Sequence, residues 1–198
     1  MATTTPNYGW PVPTSTDYVK DGATAIEALG DAIDATVFGL GSGMKLVKSQ
    51  VIGSAVSSVT VTGAFSTTYE NYKIIISGGV ASVETSLRIQ MGSAASGHYG
   101  GFVYTTATGG SLTSTGDNNT TRWNYCGGTN ANGNNAVIEL LAPFLSQNTY
   151  ITAFPKYTNG YGTFNGVQID STSFTAFTLS PNSGTLTGGT IYVYGYQK

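Results

Sequence analysis

The rhythm of apolar and polar positions changes three times along this chain. Up to residue 16, Pro6, Pro11 and Pro13 alternate with Tyr8 and Trp10, a proline density that forbids regular helix and favours extended or polyproline-like backbone. Residues 1–16 are therefore expected to form an extended arm. So short a stretch has no core of its own, and Tyr8 and Trp10, with Pro11 and Pro13, are expected to be covered by a partner protein or a neighbouring copy.

Over residues 17–38 the rhythm is helical. Val19, Ile26, Leu29 and Ile33 fall at spacings of 7, 3 and 4, an apolar stripe with Ala25, Ala28, Ala32 and Ala35 beside it. Ser15, Thr16 or Asp17 can cap the start, and Gly39 stands where the helix would stop. A helix with one narrow seam gains most of its stability from what covers that seam, and no second helical pattern occurs in the chain. A short parallel coiled coil between copies is the expected solution, the alternative being packing on the chain's own β domain; Ile and Leu in the seam do not determine the copy number. Residues 39–43, Gly39-Leu40-Gly41-Ser42-Gly43, predict a flexible hinge, too short and without the preceding strand for a phosphate loop.

From 44 to 198 the apolar positions alternate in short runs, which predicts strands over 45–52, 58–61, 72–77, 86–91, 102–105, 122–125, 137–141, 150–155, 162–169, 174–179 and 190–196. Turn signals such as Ser77-Gly78-Gly79, Thr158-Asn159-Gly160 and Pro181-Asn182-Ser183-Gly184 separate them. The expected fold is mainly β, an antiparallel β-sandwich of the jelly-roll kind over residues 44–198, and the lack of helix-length patterns excludes a parallel β/α fold.

Composition agrees: 27 Gly and 13 Tyr, with only 9% of residues charged, suit many short strands joined by turns. The formal net charge of -2 gives no warrant for nucleic acid or another polyanion as partner. Charge is unevenly placed, since Asp17, Asp21, Glu27, Asp31 and Asp34 face Lys20 alone in the first forty residues, about -4 there and about +2 in the remainder. Cys126 is the sole cysteine, which excludes an intrachain disulfide and a cysteine-based metal site. The first residues lack the basic and apolar regions of a signal peptide, and no apolar run approaches the roughly 20 residues of a membrane span, so a soluble protein made in a cytoplasm is expected.

Candidate chemistry is sparse. His98 is the only histidine, and its setting Ser96-Gly97-His98-Tyr99-Gly100 predicts an exposed turn rather than a triad. Glu70, Glu84, Asp117, Glu139 and Asp170 are the acids of the β region; none stands in a recognisable glycosidase pairing, and Glu84 and Glu139 are expected to face solvent or to pair with Arg88 or Arg122. Asp117-Asn118-Asn119 lacks the dense carboxylates of a calcium loop and predicts a polar turn. The expectation is a non-enzymatic chain without metal or cofactor. Within the Gly-, Asn- and Thr-rich stretch 109–135, Trp123 and Tyr125 with Asn118 and Asn124 are candidates for glycan contact, rings stacking on sugar faces and amides bonding hydroxyls; the weightier reading of Trp123 and Tyr125, same-face neighbours on one strand, is core.

The segment Thr5-Pro6-Asn7-Tyr8-Gly9-Trp10-Pro11-Val12-Pro13-Thr14-Ser15-Thr16-Asp17-Tyr18-Val19-Lys20-Asp21-Gly22-Ala23, continued by Ala28-Leu29-Gly30-Asp31-Ala32-Ile33-Asp34, resembles the N-terminal leader of minor tail, tail-fibre and head-decoration proteins of tailed bacteriophages. Gly188-Gly189-Thr190-Ile191-Tyr192-Val193-Tyr194-Gly195 is similar to the closing strand of β domains in such proteins. The resemblance implies a leader that docks on other virion proteins, a helix that gathers three copies and a β head that projects outward. It implies a virion location, assembled in the bacterial cytoplasm, as a tail fibre or appendage or else as a capsid decoration protein. It carries over no catalytic residue.

Overall fold

In the computed structural model, which describes residues 3–14, 16, 18–39, 43–106, 108–157 and 160–197, the chain divides into two compact units, Met1–Gly43 and Met44–Lys198. Strands account for 52% of the residues, so the protein is mainly β, with large antiparallel sheets and one helix.

In the first unit the expected extended arm is replaced by a hairpin. Strands β1 (Thr3–Thr4) and β2 (Pro11–Val12) pair antiparallel, and Thr5 N–H donates to the Trp10 carbonyl at 2.9 Å. Proline density does not prevent this, because Gly9 takes φ +67° and turns the chain between the two strands. Helix α1 (Gly22–Gly39) follows a 3-10 turn over Val19–Asp21, starting later than the sequence predicts. The expected caps Ser15 and Asp17 lie outside the described residues, as do Leu40, Gly41 and Ser42 of the hinge and Thr158 and Asn159 of one turn; Thr16 bonds the Thr14 hydroxyl instead of capping. α1 packs on β2, and the Trp10 indole N–H donates to Thr36 Oγ1 at 2.9 Å.

The second unit contains β3 (Met44–Val51), β4 (Val59–Val61), β5 (Asn71–Ser77), β6 (Val80–Ala81), β7 (Thr85–Met91), β8 (His98–Thr106), β9 (Leu112–Thr120), β10 (Trp123–Asn130), β11 (Gly133–Leu141), β12 (Thr149–Ala153), β13 (Lys156–Tyr157), β14 (Gly160–Gln168), β15 (Phe177–Pro181), β16 (Leu186–Thr187) and β17 (Thr190–Tyr196). One antiparallel run has the order β3-β17-β5-β11-β12-β14-β8-β9, and a second has the order β4-β15-β7-β10. The β10–β11 hairpin joins them through Gly128↔Asn135 and Asn130↔Gly133, after which β11 turns away to pair β5 and β12.

Period-two alternation buries one face of each run. Tyr72, Ile74 and Ile76 of β5, Ile138 and Leu140 of β11, and Ile191 and Val193 of β17 are enclosed, as are Leu87, Ile89 and Met91 of β7 and Phe177 and Leu179 of β15, all within a single buried cluster. Phe65 bridges the runs, edge-on to Tyr72 at 4.9 Å and stacked on Phe177 at 5.8 Å. Each such side chain contributes about 1.5–3 kcal/mol relative to exposure.

Candidate functional site

Phe102, Tyr104 and Thr106 occupy alternate positions of β8, and the hairpin to β9 and the return through β10 bring Thr115 and Tyr125 to them. The rings form a near-parallel set: Phe102 lies 4.7 Å from Tyr104 at 11° and 5.4 Å from Tyr125 at 16°. Gly162 pairs with Tyr104 across β14, where an added Cβ would meet the Val103 carbonyl oxygen at 1.9 Å and Tyr104 Cβ at 2.7 Å, so only glycine admits the close approach.

Phe102, Tyr104, Thr106, Thr115 and Tyr125 help to wall a cavity of about 630 Å³, within the roughly 300–1,000 Å³ of small-ligand sites. Its polar lining is hydroxyl and amide: Thr85 and Ser86 of β7, Thr106, Thr115, and Asn182 after β15, with no charged side chain among the described residues. Asn182 is held firmly, its N–H donating to the Ser86 carbonyl at 2.8 Å and its Oδ1 accepting from Arg88 Nη1 at 3.0 Å. Aromatic faces with neutral donors and acceptors suit stacking and hydrogen bonding of a sugar and provide no acid–base pair.

Of the four residues singled out in the sequence for glycan contact, the structure brings only Tyr125 to this cavity. Trp123 is a correction: it is fully buried, its indole N–H donates to the Tyr99 carbonyl at 3.2 Å, and a ring without an exposed face stacks on no ligand. Asn124 is occupied by Asp117, whose carboxylate accepts from the Asn124 backbone and side-chain N–H groups; burial raises the Asp117 pKa while those bonds oppose the rise. Asn118 is exposed on β9 outside the cavity lining. Phe102 and Tyr104 were legible only as strand residues, although their aromatic alternation was the available signal.

His98 is likewise corrected, from exposed turn to fully buried strand residue. Its Nε2 accepts from the Met91 N–H at 3.4 Å and its Nδ1 lies 3.2 Å from the Thr120 carbonyl, which assigns the proton to Nδ1. Burial holds its pKa below the ordinary value, outweighing its backbone bonds. Glu139 pairs not with an arginine but with Lys73, at 2.9 Å, and accepts from the Tyr196 hydroxyl at 2.6 Å; burial, then this bond and the Glu139 charge, push the Tyr196 pKa up to about 12. Among the described residues no carboxylate lines the cavity, and no three His, Cys, Asp or Glu side chains cluster as metal ligands.

In the first unit Tyr8 stacks on Trp10 at 5.3 Å and remains exposed, while Trp10, Pro11 and Pro13 are half-buried. The expected seam is split. Leu29 and Ile33 are half-buried, whereas Val19 is 97% and Ile26 66% exposed, and Val37, one helical repeat beyond Ile33, is 59% exposed. Among the described residues no helix is long and apolar enough to cross a membrane.

The fold and cavity thus define a mainly-β antiparallel domain with a pocket lined by aromatic rings and neutral polar groups, preceded in the chain by a small hairpin-and-helix unit. No protein-family model matches the sequence, and no curated protein matches it.

Proposed function

We propose that the chain is a non-enzymatic structural subunit of a bacteriophage particle, a short trimeric fibre or tail appendage. Its first unit anchors it and gathers three copies, and its β head contacts host-surface glycan through the half-buried rings of Tyr104 and Tyr125, which the buried Phe102 backs. The observation that carries this reading is the apolar stripe of α1: Ile26 and Val37 are exposed, as is Val19 in the 3-10 turn before the helix. The acids Glu27, Asp31 and Asp34 occupy other helical positions, which leaves the stripe uncharged.

The β head is a sandwich of jelly-roll connectivity in this reading. Lettered A to H in chain order, β3, β4, β5, β7, β10, β11, β15 and β17 have the sheet orders A-H-C-F and B-G-D-E, and β8-β9 and β12-β14 extend the first sheet as insertions that carry most of the pocket. Jelly rolls recur in viral capsid and lectin domains, a fold-level analogy that agrees with the proposal without carrying it.

The test is cryo-EM of intact particles, with the 44–198 fragment as control. Density for the full chain at the tail tip or baseplate, absent when the fragment replaces it, is expected. Density on the capsid surface would make the chain a decoration protein instead, and attachment of the fragment would move anchoring into the β head.

A further inference from the structure

The net charge conceals a local cationic pair beside the pocket. Arg88 lies on β7 two residues beyond Ser86, which lines the cavity, and its Nη1 bonds Asn182, which lines it too. Its Nη2 donates to the Pro181 carbonyl at 2.9 Å, and its Nε is buried without a partner. Arg122 reaches the same place from the start of β10, its Nη1 donating to Ser180 Oγ at 3.3 Å, and Ser180 is the cross-strand partner of Arg88. Burial, and after it the charge of Arg122, lower the Arg88 pKa.

Two half-buried guanidiniums near one another are unfavourable without a counter-ion. Lys73 has its carboxylate in Glu139, yet among the described residues neither arginine bonds an acid. Glu84, the residue preceding Thr85, is exposed and does not line the cavity. An anion from outside the chain would offset both charges, with the buried Arg88 Nε out of its reach, and planar guanidinium donors match the paired oxygens of a carboxylate or a sulfate.

We propose that Arg88 and Arg122 form an oxyanion subsite adjoining the aromatic pocket, so that the ligand is an acidic saccharide with its ring in the pocket and its anionic substituent at the arginines. This inference rests on the glycan reading of the pocket. The net charge of -2 argues against a polyanion; it does not oppose one anionic group at this place.

Calorimetric titration of the full chain tests it with three probes: a uronic-acid oligosaccharide, its carboxyl-reduced neutral counterpart and a sulfated oligosaccharide. At low salt at least one acidic probe is expected to bind about tenfold more tightly than the neutral one, the better of the two identifying the oxyanion. Added salt and Arg122→Gln should erase the preference, and Arg122→Lys, which keeps the charge, should restore part of it. Arg122 is chosen because Arg88 also holds the Pro181 carbonyl and the Asn182 side chain, and circular dichroism checks the fold of each variant. Equal binding of acidic and neutral probes, or a preference untouched by Arg122→Gln, overturns the anion subsite while leaving the glycan reading standing. Failure of all three probes to bind overturns both.

Discussion

The imidazole of His98 sits edge-on to Trp123 at 5.0 Å and is enclosed in its neutral form, while an unfolded chain takes up a proton near pH 6.5. Its folded-state pKa is depressed, so its contribution to stability is fully present above about pH 6.5 and is lost as pH falls through the folded value. Asp117 acts with the opposite sign: its pKa is raised, so its contribution is present at low pH and is lost as pH rises through the folded value. The difference between wild type and His98→Gln isolates the histidine. Melting temperature should fall on acidification from pH 7 to 5 more steeply in the wild type than in the variant, and parallel slopes would contradict the assigned environment. The burial of His98 was illegible because Gly97 and Gly100 look like turn residues. Gly100 is instead a strand position where an added Cβ would lie 2.4 Å from Phe164 Cζ, a constraint set by a residue far along the chain.

Elements with a greasy face were legible; those without an alternating apolar face were not. β5, β11 and β17 announce themselves because Ile74, Ile138 and Val193 recur at period two, and the same regularity makes their loss costly. Ile138→Ala in β11 should cost about 2–5 kcal/mol, whereas Lys73→Ala, which removes the partly exposed pair with Glu139, should cost less than about 1 kcal/mol. Urea denaturation of the two variants checks the ordering, and comparable losses would contradict the placement of Ile138 in the core. β9 escaped detection because Leu112 is its sole large apolar residue and is exposed; the ladder to β8 holds the strand. The β1–β2 hairpin escaped because its prolines argue for extension, and only the positive φ of Gly9 permits the return. The pocket required Tyr125 to be set beside Phe102 and Tyr104, a pairing across the β9 hairpin that no spacing in the sequence displays.

At the scale of the whole molecule, the chain joins a unit with an enclosed core to one that leaves its helix partly uncovered. The hairpin on α1 modifies the expected picture, since the described residues of the first unit pack on one another and the Trp10 indole N–H bonds Thr36. It leaves Ile26 and Val37 of α1 exposed, with Val19 in the turn before it, and the proposed association between copies rests on these residues. Sedimentation equilibrium of the full chain beside Ile26→Asp with Ile33→Asp tests this most directly. The mass of three copies is expected for the wild type and of one copy for the double variant, with the β signal in circular dichroism unchanged; a monomeric wild type, or an equal mass for both, would overturn the proposed seam.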